Sequence, residues 1–345
     1  MALLFIDGFD QYGTTNGNDA DGIEHLWPTN LQLAQINVAD GRISGKSIVF
    51  ATSNAYVQTP PLAQMSTVVV GFAFKYAAHA NASADVVCTL MEGASAGVNL
   101  RLRQDGEWEV YNNTTLLGSA TSGFSLPTGT WAFIELKVTT HDSAGAVELR
   151  IDGVTALNLT SEDTQPATGN NWVTALRLNG HSVPADAYTF DDCYVLDTTG
   201  SVNNDFLGDH NVTTLFPANE GDTIEWTPST GTDNSDLVDD NPHNTDTDYV
   251  TGASGNLDLY DLDTLSGAGS IAGIQMVSVC RETDVNPFSI KHVVKASGTE
   301  YADSAAPIGS SLYLARKRLM EENPDTTNPW SQSEINAAQF GMELT

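Results

Sequence analysis

The chain has 345 residues, and 41% of them are hydrophobic, enough apolar material for two cores. Its 44 acidic residues against 14 Lys and Arg give a formal net charge of −30, split about −13 before residue 200 and about −17 after it. Neither half offers a basic face, so nucleic acid and anionic lipid are not expected partners.

No run approaches the roughly 18 apolar residues of a membrane span, so no membrane insertion is expected. The start "MALLFIDGFD" has no basic region and too short an apolar run for a secretory signal. Cys88, Cys193 and Cys280 are odd in number and far apart, which points to reduced thiols rather than a disulfide framework.

Strand periodicity dominates. "LLFIDGFDQY" opens the chain, and "TVVVGFAFKYAA" (67–78) is a β-branched and aromatic run. "NLRLRQDGEWEVYN" (99–112) alternates on both sides of Asp105-Gly106, a hairpin signal. Residues 130–160 give three more strands, joined by a polar turn near 141–145 and by Asp152-Gly153. "WVTALRLNG" (172–180) and "YTFDDCYVLDTTG" (188–200) complete a set that reads as an all-β sandwich. A polar stretch rich in Gly, Asn and Ser at 198–210 places the hinge, giving domains 1–198 and 199–345. Beyond it, short strands resume. Ser331 and Glu334 match a capping box at the start of a short helix, which Gly341 is expected to end before a last strand. The fold class expected is all-β: two β-sandwich domains, the second smaller and carrying the C-terminal helix.

The first half resembles the laminin-G/concanavalin-like jelly roll. The stretches that carry the resemblance are "LRLRQDGEWEVYN", "LPTGTWAFIELKVTT", "AVELRIDGVTALNL" and the closing "FDDCYVLD". It implies that the last strand, with its paired Asp, lies beside the first. The second half resembles C-terminal modules of tailed-phage virion proteins, through "FLGDHNVTTLFPANEGDTIEWTPSTG", "DDNPHNTDTDYV" and "NPDTTNPWSQSEINAAQFGMEL". These resemblances imply a non-enzymatic structural protein of a phage particle, as head decoration, fibre or tail-associated protein. It would be assembled in the host bacterial cytoplasm and located in the virion. Its expected partners are other virion proteins, further copies of itself in a homo-oligomer (a trimer is the expectation), and host surface glycan. The alternative is a carbohydrate-binding adhesin module, and a polysaccharide-degrading enzyme comes third.

Candidate sites follow from residue chemistry. Exposed aromatic rings stack on sugar faces, which makes Trp27, Trp108 and Tyr111 the glycan-binding candidates, drawn from a set that also holds Trp131, Trp172 and Tyr56, most of it expected in the core. Strict alternation along 188–197 puts Phe190, Asp192, Tyr194 and Leu196 on one face and Asp191, Cys193, Val195 and Asp197 on the other. A structural role for these acids is the first reading. Calcium is the alternative, held by Asp191 and Asp192 with Asp7 and Asp10 from the neighbouring first strand.

Other motifs carry less. "GASAG" (93–97) matches a nucleophile elbow but is followed by a strand, so it reads as a hairpin turn. Glu107 and Glu109 flank Trp108 as a wet face opposite a core Trp. The Asp-rich stretch 233–263 does not match the EF-hand spacing and reads as a solvated loop, or one that meets a basic partner. The seven His show no local zinc pattern. "ARKRLM" (315–320) is the one basic patch and reads as ion pairing with the abundant acids, within the chain or between subunits.

Overall fold

The computed structural model describes residues 2–13, 22–51, 55–79, 84–183, 186–267, 269–283, 288–309 and 311–345. The chain divides into two compact units, Met1–Thr213 and Thr214–Thr345.

In the first unit the described residues form fifteen strands, one short α-helix and one 3-10 turn at Leu33–Gln35. The strands are β1 (Leu3–Asp7), β2 (Thr29–Leu31), β3 (Ile36–Asp40), β4 (Lys46–Phe50), β5 (Tyr56–Gln58), β6 (Thr67–Tyr76), β7 (Asp85–Glu92), β8 (Ser95–Leu102), β9 (Trp108–Asn112), β10 (Thr115–Ser119), β11 (Ala132–Thr139), β12 (Gly145–Ile151), β13 (Val154–Glu162), β14 (Ala175–Asn179) and β15 (Tyr188–Asp197). The helix is α1 (Ile23–Leu26). One sheet has the order β13-β12-β11-β6-β15-β4-β3, with β1 also paired to β15; the other runs β10-β9-β8-β7-β14-β5-β2. All the pairings are antiparallel. The core lies between the sheets. Phe74 of the first sheet meets Trp108 of the second at 5.6 Å between ring centroids, and Phe190 packs on Phe50, Phe72 and Phe74. Each such ring contributes about 1.5–3 kcal/mol by leaving water.

The turns behave as their residues require. Gly106 has φ 80, and Asp152 and Gly153 have φ 49 and 76, the left-handed pair that a two-residue hairpin needs. Gly93 (φ 56) turns β7 into β8, so "GASAG" is a hairpin. Trp108 is fully buried while Glu107 and Glu109 are partly exposed.

The first unit ends 15 residues later than the composition change at 198 indicated. The reason is that residues 199–213 fold back along the outer side of the first sheet. Asp205 pairs with Lys137 at 2.9 Å, and the Arg150 guanidinium lies 3.9 Å above the Phe206 ring. Gly208 N donates to Glu135 Oε1 (2.8 Å) and Val212 N to Asp192 Oδ1 (2.8 Å). Strand β15 therefore has the opposing sheet on one side and this strap on the other, and all ten of its residues are buried.

In the second unit the described strands are β16 (Pro217–Ile224), β17 (Thr227–Pro228), β18 (Val250–Thr251), β19 (Leu257–Leu262), β20 (Ile274–Cys280), β21 (Ser289–Ala296), β22 (Thr299–Ala302), β23 (Ala306–Pro307), β24 (Leu314–Met320) and β25 (Gln339–Leu344), with helix α2 (Gln332–Ala337). A six-stranded sheet has the order β16-β19-β25-β21-β22, with β23 on β21; β17–β18 and β20–β24 are two-stranded ribbons. Val294 and Phe340 of the sheet share a core with Met320, Trp330 and Ile335, and Ile274 and Met276 of the ribbon pack against it. The ribbon is thus the second layer. Ser331 caps α2 as its sequence requires, with both halves of the capping box present. Gly341 does not end the helix. It lies inside β25, where a Cβ would meet Asp258 O at 1.8 Å, so only Gly fits. No helix among the described residues is long and apolar enough to cross a membrane.

Candidate functional site

The paired Asp of β15 do not obey strict alternation. Asp192 has φ 52, and the register against β6 shifts between Asp191 and Tyr194. This bulge changes the parity of the strand. Phe190 points into the core, whereas Tyr194, four residues on, lies over Phe133 on the outer side and donates to Glu135 Oε1 (2.5 Å). The expected face shared by Phe190 and Tyr194 is therefore corrected. Strand β1 does lie beside β15, as the resemblance implies.

Each of the four calcium candidates is engaged with protein donors. Asp7 Oδ1 accepts from Phe9 N (2.8 Å) and Gln11 Nε2 (2.8 Å); Oδ2 accepts from Tyr12 Oη (2.7 Å) and Trp27 Nε1 (2.6 Å). Burial pushes its carboxyl above the usual carboxylate range and outweighs these bonds. Asp10 Oδ1 accepts from Lys46 N (2.7 Å). Asp191 accepts from Arg42 N (2.7 Å) and Asp192 N (2.8 Å). Burial and the neighbouring Asp192 push it up to about 8. Asp192 Oδ2 takes the Arg42 guanidinium at 2.9 Å, and the same guanidinium reaches Asp209 at 2.6 Å. Asp191 and Asp192 thus hold the 41–46 turn and the strap onto β15, whereas Asp7 organises the segment that follows β1. Among the described residues they do not gather three ligand atoms into one metal-sized cluster.

Two of the three sugar-stacking candidates are corrected. Trp27 and Trp108 are wholly buried, Trp27 between Phe5 and Phe9 and Trp108 against Phe74. Neither ring can reach a sugar. Tyr111 stands on the outer face of the second sheet. Alternation there sends Leu176, Leu178, Leu90 and Leu100 to the core and leaves a polar surface opposite. Cross-strand register lines up Tyr56 and Gln58 of β5, Asn179 and Arg177 of β14, Thr89 of β7, Asn99 and Arg101 of β8, and Tyr111 of β9.

The geometry of this face is preset. The Arg177 guanidinium lies 4.1 Å over the Tyr56 ring and donates to Gln58 Oε1 from Nε (3.1 Å) and Nη2 (2.9 Å). The Arg101 guanidinium lies 4.0 Å over Tyr111 and donates to Asn99 Oδ1 (2.7 Å) and Asn113 O (2.8 Å). Neither arginine has a carboxylate partner among the described residues, in a chain with 44 acids. Burial lowers the Arg177 pKa from its ordinary value. Beyond Asn179 and Tyr56, the face runs into a shallow groove of about 330 Å³ lined also by Leu31, Asp85 and Ser182. Of this set the sequence carried the two tyrosines, Tyr56 and Tyr111, and none of the polar residues between them. Arg177 and Gln58 are 119 residues apart, and only the β5–β14 pairing joins them.

The remaining sequence candidates fall elsewhere. Asp258 is fully buried and accepts from Glu225 N, Trp226 N, Asn234 Nδ2 and Tyr260 Oη, so it organises its loop. Asp233, Asp236 and Asp248 line an open acidic depression. Asp246 binds Arg281. Arg316 and Arg318 of the basic patch donate to backbone carbonyls of Pro307, Ile308, His292 and Tyr301, where the sequence reading expected acids. Burial lowers Lys317 between them to about 8. The absence of a local zinc pattern does not extend to space: His79, Asp85 and His181 meet at one end of the first unit.

No protein-family model matches the chain, and no curated protein matches it. Among solved structures it is similar to an endo-β-1,4-glucuronan lyase from the fungus Trichoderma reesei, at 11% identity over 54% of this chain and 93% of that one (TM-score 0.40). It is similar to alginate lyase Aly36B, at 12% identity over 57% and 97% (TM-score 0.42). Domain 4 of AbnA, an extracellular arabinanase from Geobacillus stearothermophilus seen with arabinotriose, matches at 18% identity over 47% and 75% (TM-score 0.34). Likenesses of this degree carry no assignment of function.

Proposed function

We propose that the chain is a carbohydrate-binding protein whose first unit takes a polysaccharide across the polar face of its second sheet. The observation that carries this reading is the pair of arginines, Arg101 and Arg177, fixed on tyrosine rings and amide oxygens with no carboxylate at ion-pair distance among the described residues; Glu109, opposite Arg101, takes the Tyr111 hydroxyl instead. A guanidinium held in this way is preorganised for an anionic group of a ligand; the buried Asn99 and Gln58 fix the two arginines, and the partly exposed Asn179 is the amide beside them. The ligand class is therefore a polysaccharide bearing carboxylate or sulfate, taken by these two guanidinia as local pairs that work against the chain's net charge of −30. The function is recognition without turnover.

The test is a polysaccharide array with neutral, uronate and sulfated polymers, read beside a product assay for chain cleavage. Retention of acidic polymers without new chain ends supports the reading. Binding to none of them overturns it, and cleavage overturns its non-enzymatic part. Placement in a phage particle is a further part of the proposal and rests on the resemblance of the second half and its order after a jelly roll. Immunogold labelling of purified particles tests it: label on shell or tail supports it, and protein found only free in the lysate overturns it.

A further inference from the structure

At one end of the first unit, three strand ends converge. His79 follows β6, Asp85 begins β7 and His181 follows β14, and one ligand atom from each lies within 4.8 Å of the others. His181 Nε2 is 2.9 Å from Asp85 Oδ2, and His79 Nε2 is 3.8 Å from the same oxygen. A tetrahedral zinc with bonds near 2.1 Å separates its ligands by about 3.4 Å. The two distances bracket that value.

The surroundings are those of a built site. His181 is 1% exposed, and its Nε2 has no aligned hydrogen-bond acceptor among the described residues although Asp85 stands beside it. The two imidazoles meet edge to face at 4.6 Å, and Tyr188 closes on His181 at 5.1 Å, so the rings sit in an aromatic shell. Asp85 also lines the groove described above, together with Ser182, and gives the cluster a path to solvent.

We infer that His79, Asp85 and His181 form a zinc-binding site, with the fourth ligand taken from solvent on the side of the partly exposed Asp85. Two imidazoles and one carboxylate suit a borderline divalent ion, whereas calcium takes six to eight oxygens. Binding requires a proton rearrangement that the structure specifies. His181 Nδ1 accepts from Val183 N (2.9 Å), which leaves the neutral ring's proton on Nε2. When zinc takes Nε2, the ring's remaining proton moves to Nδ1. Nδ1 then gives up the bond from Val183 N, whose N–H would face the new ring N–H, and turns its proton to Asp186 Oδ2, a buried carboxylate now 3.6 Å away. His79 must give up its 2.9 Å contact from Nε2 to Leu102 O if it binds through that nitrogen.

The experiment strips the full chain with a chelator and measures Zn²⁺ uptake by equilibrium dialysis, with Ca²⁺ as competitor. Co²⁺ follows as a spectroscopic probe of the wild type. The expected results are one zinc per chain, no displacement by calcium, and the intense visible bands of four-coordinate cobalt. His79→Gln and Asp85→Asn each weaken zinc at least tenfold. Asp186→Asn weakens it about tenfold through the second ring nitrogen, and the half-exposed His141→Gln leaves it unchanged. Uptake below stoichiometry in the wild type, octahedral cobalt spectra, or equal zinc affinity in folded Asp85→Asn overturns the site. The cobalt spectrum needs no variant, so it decides the matter even if substitutions in this core prevent folding.

Discussion

Replacing Asp7 tests whether buried hydrogen bonds or a metal explain the acids at the start of the chain. Its carboxylate serves Phe9 N, Tyr12 Oη and Trp27 Nε1, all buried, and the partly exposed Gln11. Asp7→Ala leaves three buried donors without an acceptor. Each costs about 1–3 kcal/mol, so the expected loss is about 3 kcal/mol or more. Asp7→Asn keeps one oxygen for Phe9 N and turns an NH₂ toward Tyr12 and Trp27. The Tyr12 hydroxyl can rotate to accept, whereas the indole N–H cannot, and the loss falls to about 1–3 kcal/mol for one orphaned donor. Urea unfolding of the full chain, followed by Trp fluorescence and circular dichroism, reads both values. The order Ala worse than Asn is the prediction, and added calcium leaves each difference unchanged. A loss under about 1 kcal/mol in Asp7→Ala, or a calcium-dependent difference, refutes the reasoning.

Three further outcomes follow from the same geometry. Gly71→Ala places a Cβ 2.1 Å from Tyr194 Cε1, and the Tyr194 hydroxyl is tied to Glu135 and Leu207 N. The expected cost is about 1–3 kcal/mol, and a wild-type unfolding midpoint contradicts it. Asp191 holds its proton in the folded state up to about pH 8, while unfolded it titrates at the ordinary carboxylate value of 3.8. The folded state therefore binds the extra proton, and Asp191 makes stability fall as pH rises through this window, by up to about 1.4 kcal/mol per pH unit. Asp191→Asn flattens the slope between pH 5 and 8; an unchanged or steeper slope contradicts this. Ser331→Ala removes the α2 cap and costs the second unit about 1 kcal/mol, and equal thermal stability of variant and wild type speaks against it.

The longer strands, such as β6, β11 and β12, were legible from their apolar runs and from Asp-Gly turns where φ is positive, whereas the short β2–β5 and β10 carry no comparable pattern and were not read. Asp152-Gly153 and the Ser331–Glu334 box are local signals, and local physics is enough to satisfy them. What was illegible is non-local. The bulge at Asp192 reverses strand parity because Arg42 and Val212, distant in sequence, supply donors to the paired acids. The strap at 199–213 reads as linker composition, yet Phe206 and Asp205 find Arg150 and Lys137. Trp27 and Trp108 are aromatic in sequence but core in space, since composition does not say which rings an opposing sheet covers. The Arg101–Tyr111 stack lies within one hairpin, whereas Arg177 meets Tyr56 only through the β5–β14 pairing. For the same reason, His79 and His181 stand 102 positions apart in sequence while their rings meet at 4.6 Å.

The central claim is that the polar sheet face binds acidic polysaccharide through Arg101 and Arg177. The most direct measurement is the Kd of an acidic polymer for wild type and for Arg101→Ala/Arg177→Ala, with a neutral polymer of similar length as control and thermal unfolding to verify the fold. The account predicts at least tenfold weaker binding of the acidic polymer by the folded double variant, weakening with added salt, and little affinity for the neutral polymer in either protein. Equal affinity of a folded double variant for the acidic polymer contradicts it.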